Sequence, residues 1–379
     1  MELNNLEKLK HFKENITHVI KDDNELNKMI EDMTNNGISF DKSINYAKQA
    51  FKYMNLIYNH SLPKRDKSKD IISKEDSIKY ARIVIESIDQ NLIKEFDLFI
   101  NSDSFIFHNS FLPNNIIKNK SCFDFDDDTI NLFSIDPYTD ICIIVHEFMH
   151  YTNSKNSKNK SALYDYLEEG KYKSKYTEFI SIYFEKYARD FLVNNYNLPL
   201  NSFNNRFRLE NIYGVAKLNL EFLLPFYIHD KYGKYNYENY LKTIEEEDLV
   251  IPKSKQYYDK IHYNVIKTYR ETKEIFYDFL KHPNLVNKNL NLKMIQNIID
   301  EPFEKRDYFI STLLAYKDDI KKEDVLKLSY LLNEPCDVIK KDPIFIKMEN
   351  NYKSILEDNK VLTNIEVDLI RCRIRGKTI

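Results

Sequence analysis

His146 and His150 stand four residues apart in DICIIVHEFMHYTNS, residues 140 to 154, with Glu147 directly after the first of them. On an α-helix, positions four apart lie on one face about one turn from each other, so both imidazoles can turn toward a single metal ion. The residue after the first histidine is rotated off that face yet stays close. Glu147 is therefore suited to hydrogen-bond a metal-bound water and take its proton. Aspartate there would fall short, and glutamine could not accept the proton. The plainer alternative is two ordinary histidines on an amphipathic helix, because a five-residue pattern also arises by chance. Context weighs against it. The apolar run ICIIV ahead of the motif marks a buried helix, a poor setting for two histidines and a carboxylate without partners.

A catalytic zinc takes three protein ligands and leaves one position for water, so a third ligand must come from downstream. Two carboxylates compete. Glu169, in LEEGK, lies 19 residues after His150, a spacing found in several zinc peptidases whose third ligand is a Glu on a following helix. Glu178, in YTEFISIYFEKY, lies 28 residues after it, on a longer and more strongly periodic helix. Cys142 sits one turn before His146 and reads as a small core residue rather than a ligand.

The elements that must hold these residues are mostly helices. From residue 5 to about 100 apolar residues recur at helical spacing, as in SINYAKQAFKYMNLIY and DSIKYARIVIESIDQNLIKEFDLFI, and Ser73 in SKED is a start signal for the second. Between about 103 and 135, SFIFHNSF and DTINLFSI are short aromatic or β-branched runs that read as strands. Asp136 followed by Pro137 predicts an N-cap with proline at the first helical position, opening a helix through about Asn153 that carries the histidines. Helices resume at ALYDYLEEG, at SKYTEFISIYFEKYARDFLVNN, over roughly 205 to 232 and over 236 to 247. From about 255 onward the pattern repeats in shorter lengths without a further motif.

Composition agrees. Five Gly and 10 Pro in 379 residues favour long helices over an all-β fold, and the chain carries 28 Tyr and 24 Phe but no Trp. The predicted class is mainly α (α+β), divided into an N-terminal helical region 1–100, a core 101–300 and a C-terminal helical region 301–379, all packed as one unit. Lys and Arg number 56 against 59 Asp and Glu, with the signs interleaved, which argues against nucleic-acid and membrane partners. Cys122, Cys142, Cys336 and Cys372 form no CxxC pair, so a structural cysteine–zinc site is not expected. The N-terminal stretch is charged where a secretion signal has an apolar core, and a cytoplasmic setting is the expectation, with a leaderless export route left open.

EFISIYFE places Ser181 three residues and Glu185 seven residues after Glu178. The same Glu, Ser, Glu spacing marks the third-ligand helix of the thimet oligopeptidase and oligoendopeptidase F family, and HEFMH resembles that family's HEFGH. More loosely, residues 72 to 97 resemble the helices leading into the family's active-site sheet, and NIYGVAKLNLEFLLPFYIHDKYGKYNYENYLKTI resembles its Tyr-Gly helix. The resemblance implies a zincin-like catalytic core with a small mixed sheet, walled by helices that form a substrate cleft. It implies one zinc per chain on His146, His150 and Glu178, with Glu147 as general base. Glu185 would then orient a ligand histidine. Tyr213 is the best candidate to donate to the oxyanion, and His229 a weaker one. A solvated surface Glu, a packing Tyr and an exposed helix-end His are the plainer readings of those three. The chain departs from the family at Met149, where the family has Gly, in a longer interval to Glu178, and at Leu209 and Glu210, where paired aromatics precede the tyrosine.

These readings converge on a zinc oligopeptidase that binds an extended peptide along an edge strand near residues 128 to 135. Two rivals remain. One is a zinc peptidase of another family using Glu169, an aminopeptidase or a protease dedicated to one protein. The other is a non-catalytic helical peptide-binding protein that keeps a metal site.

Overall fold

With so few glycines, the chain has little material for tight turns, and helices carry most of the residues described in this computed structural model. It describes residues 23–59, 73–103, 105–108, 122–124, 129–133, 137–156, 173–196, 202–281, 304–334, 336–355 and 359–375, with isolated positions between 292 and 299. In chain order, α1 (Asp23–Asn35) and α2 (Asp41–Asn59) are followed by α3 (Lys74–Ile88) and, after a single 3-10 turn, α4 (Ile93–Ile100). Three strands, β1 (Phe105–His108), β2 (Cys122–Asp124) and β3 (Thr129–Phe133), precede α5 (Pro137–Asn156) and α6 (Lys173–Tyr196). Next come α7 (Ser202–Tyr232), α8 (Tyr237–Glu246) and α9 (Lys255–Lys281). After them lie α10 (Glu304–Ala315), α11 (Lys322–Leu331), the short α12 (Cys336–Ile339), α13 (Pro343–Ser354) and α14 (Asn359–Arg375). The protein is mainly α, and among the described residues no helix is long and apolar enough to cross a membrane.

The chain forms two compact units, each assembled from distant segments. Unit 1 joins Met1–Asn59 to Tyr213–Arg306, and unit 2 joins His60–Ile212 to Asp307–Ile379. The consecutive regions read from the sequence, with limits at 100 and 300, cut the chain elsewhere. Neither unit is marked by a linker, because long-range packing defines them both.

Unit 1 is held by aromatic rings and by side chains that close on backbone. Phe40 stacks on Phe226 with centroids 4.7 Å apart, and Phe51 meets Tyr227 edge-on at 5.1 Å. The buried Asn27 amide clasps one residue from both sides, donating to the Tyr235 carbonyl at 2.9 Å and accepting from its N–H at 2.7 Å. Gly37 after α1 and Gly233 after α7 take φ of 92° and 73°. That left-handed conformation suits glycine at a helix end, where the Gly233 N–H closes onto the His229 carbonyl at 2.8 Å.

Unit 2 starts where the sequence places a cap. Ser73 accepts from the Asp76 N–H at 3.0 Å and donates to its carboxylate, so α3 begins at Lys74. The runs read as strands yield β1 and β3, and CFD adds β2, a strand too short to show in the pattern. The order is β1-β3-β2, with β3 parallel to β1 and antiparallel to β2. This corrects one expectation: β3, read as the edge that would receive a peptide, is the middle strand, with Ile130 and Asn131 paired on both sides. Among the described strands the edges are β1 and β2.

Helix α5 lies against this sheet and against α3, α4 and α6. Its back is a ring cluster. Phe148 is fully buried and meets Phe96 edge-on at 5.0 Å, with Phe99 at 5.8 Å and Tyr151 at 6.3 Å. Phe99 continues the cluster to Phe105 of β1 at 5.3 Å. Burying a phenylalanine contributes roughly 1.5–3 kcal/mol, so this cluster fixes which way α5 turns its polar face. The C-terminal helices of the unit close over it. The Ser329 hydroxyl donates to Asn153 at 2.7 Å, the Tyr330 hydroxyl to Asp89 at 2.7 Å, and the Lys322 ammonium to the Ser87 carbonyl at 2.9 Å.

Candidate metal centre

Pro137 opens α5 at the position the sequence predicts; its expected cap, Asp136, lies outside the described residues. The helix runs on to Asn156, so His146, Glu147 and His150 sit mid-helix on rigid backbone. Facing them is α6, the helix most closely packed against α5. His146 meets Glu185 of α6 and His150 meets Glu178, so later residues on one helix face earlier residues on the other. The two helices are antiparallel.

The two imidazoles point their Nε2 atoms at each other, 3.2 Å apart. Glu178 faces both, with Oε1 3.6 Å from His150 Nε2 and Oε2 3.9 Å from His146 Nε2. Ligand atoms around a tetrahedral zinc with bonds of about 2.0–2.1 Å stand about 3.3 Å apart. Two imidazole nitrogens and a carboxylate at these separations fit such an ion, with a shift of a few tenths of an ångström by the carboxylate. Glu147 completes a buried group with the histidines, each residue offering one ligand atom within 4.8 Å of the others, and this group could hold a metal ion. Two carboxylates thus compete to be the third donor. The Glu147 side chain comes from the same turn as His146, whereas Glu178 approaches from the opposing helix with an oxygen toward each imidazole.

His146 donates from Nδ1 to Glu185 Oε2 at 3.1 Å. A carboxylate can only accept here, so the proton is fixed on Nδ1 and the lone pair of the neutral ring lies on Nε2, facing His150 and Glu178. Glu185 is buried, which excludes its reading as a solvated surface residue. Burial works against charge on His146, but the Glu185 hydrogen bond and the negative charges of Glu147, Glu185 and Glu178 outweigh it, and the pKa is pushed up to about 9. His150 moves the other way: burial, then the charge on His146, hold it well below the ordinary histidine value. Glu178 remains 26% exposed, so the open side of the site is on its flank.

Met149, in place of the glycine of the resembling family, is fully buried in the packing of α5, and Cys142 is buried as a core residue. Glu169 lies outside the described residues. Tyr213 and His229 belong to unit 1. The Tyr213 hydroxyl donates to the Val250 carbonyl at 3.3 Å, and burial followed by Tyr58 raises its pKa. His229 Nε2 stands 3.8 Å from Glu31 Oε1, with burial lowering its pKa against the pull of Glu31. One charged residue on α6 was passed over in the sequence. Arg189 is buried one turn beyond Glu185, with its guanidinium on Asp190 at 2.9 Å, and its i+4 spacing from Glu185 was the available signal. No family model, curated protein or solved structure matches the chain.

Proposed function

We propose that this chain is a zinc-dependent metallopeptidase acting on oligopeptides, with a reduced zincin-like core made of α5, α6 and the three-stranded sheet. His146, His150 and Glu178 are the metal donors, Glu147 the general base and Glu185 the residue that orients His146. The observation that carries this reading is the convergence of the Glu178 oxygens, at 3.6 and 3.9 Å, on two Nε2 atoms 3.2 Å apart. Zinc bound there would supply acidification of a water and polarisation of the scissile carbonyl.

The residues do the rest. Glu147, buried beside the donors, takes a proton from the attacking water and returns it to the leaving amine. Glu185 keeps the His146 proton on Nδ1 throughout, so that ring does not compete as a base. The apolar packing behind α5 holds water to the Glu178 side. No step falls to Tyr213, whose hydroxyl is engaged by Val250.

The test is Glu147→Gln. Zinc content is expected to stay stoichiometric while hydrolysis of a mixed peptide library falls by about 10²–10⁴-fold, the usual contribution of a general base. Retained turnover would rule the assignment out. Stoichiometric zinc in a wild-type chain that hydrolyses nothing in the library would instead favour a binding protein with a structural metal.

A further inference from the structure

Ser181, on α6 between Glu178 and Glu185, is fully buried, and its hydroxyl makes no hydrogen bond. Serine and threonine within helices ordinarily turn the hydroxyl back to the carbonyl four residues earlier. This chain does so repeatedly: Thr152 on Phe148 at 2.7 Å, Thr243 on Asn239 at 2.8 Å and Ser354 on Asn350 at 3.0 Å. The Ser181 hydroxyl does not make this turn back onto its own helix. An unsatisfied buried hydroxyl is destabilising, and alanine would fill the same space without that penalty.

The register of the two helices names a partner. His146 meets Glu185, and α5 and α6 are antiparallel. One turn forward on α5 leads from His146 to His150; one turn back on α6 leads from Glu185 to Ser181. Ser181 therefore stands to His150 as Glu185 stands to His146. We propose that Ser181 is a positioning residue of the metal centre, whose Oγ accepts the Nδ1–H of His150 when that ring turns its Nε2 lone pair to a metal. The hydroxyl's own hydrogen then goes to the Thr177 carbonyl. The two ligand histidines would be oriented unequally, His146 by a charged acceptor and His150 by a neutral one, so that the buried site gains no further negative charge.

The proposal rests on the metal reading, and its test separates the two. In Ser181→Ala, zinc affinity measured by chelator competition is expected to fall about 10–100-fold, the usual loss for an outer partner of a ligand histidine. The visible absorption of the cobalt-substituted protein shifts as well, because His150 is no longer held. The metal-free variant melts no lower than the wild type, since only an unsatisfied hydroxyl has been removed. Zinc affinity and cobalt spectrum both equal to wild type would overturn the role of Ser181 alone. So would a metal-free variant that melts well below wild type, which would mark the residue as structural. A wild-type chain that takes up no zinc would overturn the metal reading and this proposal together.

Discussion

Two groups of acidic side chains, one in each unit, are put to opposite uses. In unit 1 carboxylates meet phenols and ammonium groups. Glu221 accepts from Tyr257, Glu247 from Tyr227, and Asp32 from Tyr277, while Lys231 bridges Glu246 and Glu247 at 2.8 and 2.7 Å. Each acid there cross-links elements that the protein itself supplies. In unit 2, Glu147, Glu178 and Glu185 gather around two imidazoles on one antiparallel helix pair, and His146 is pushed up to about 9 as a result. Acids matched by the chain's own donors work as fasteners. Acids gathered around imidazole nitrogens make a group that could hold a cation. The difference is a matter of what faces the carboxylate, because both units bury acids equally well: Glu221 is 4% exposed and Glu147 5%.

If that contrast holds, changes to the acids around the two imidazoles act on the metal and changes to the unit 1 acids act on the fold. The largest expected effect is Glu178→Ala, which lowers zinc affinity by more than about 100-fold, beyond the range of an outer partner, without lowering the melting temperature of the metal-free protein. Glu169→Ala, compared by the same chelator competition, leaves affinity unchanged; loss of zinc in that variant alone would move the third ligand to Glu169. Glu185→Gln keeps an acceptor but removes its charge, and a fall in affinity of about 10–100-fold is expected.

On the other side, Glu221→Ala removes the acceptor of the half-buried Tyr257 hydroxyl and lowers unfolding free energy by about 0.5–1.5 kcal/mol in denaturant titration, with zinc affinity unchanged. The smallest effect is one of pH. Hydrogen bonds from Lys231 and then Tyr232 hold the exposed Glu246 down to about 2 from its ordinary value of 4.5. Its contribution is full above the ordinary carboxylate range and is lost as pH falls through about 2. Lys231→Ala should therefore narrow the drop in melting temperature between neutral and acid pH. An unchanged drop would show that this cluster is not a fastener.

The parts of this arrangement that the sequence displays are the local ones. Helical spacing joins His146 to His150 and Glu178 to Glu185, and a Ser73 cap is a matter of a few neighbouring residues. The strand CFD is too short to have a period, and β3 lies in the middle of its sheet only because β2 pairs with it. Likewise the acceptor for Tyr213 is a carbonyl 37 positions away, which nothing around one of 28 tyrosines announces. Buried Arg189 and Ser181 share this property: their spacing is visible, but burial is what sets them apart from other polar residues on a helix.

The interleaved path of the chain has a consequence for synthesis. The segment that carries both histidines and their acidic partners, within residues 60 to 212, emerges from the ribosome well before Asp307–Ile379, which completes the same unit. Between the two, the chain delivers the second half of unit 1. A nascent protein thus exposes the donor helices for the time taken to make nearly a hundred further residues, before Ser329 can reach Asn153 and Lys322 can reach Ser87. On the metal reading proposed above, loading and the closing of unit 2 would be separable events, and a chain ending after residue 306 would still contain every proposed donor while lacking the helices that carry Ser329 and Lys322.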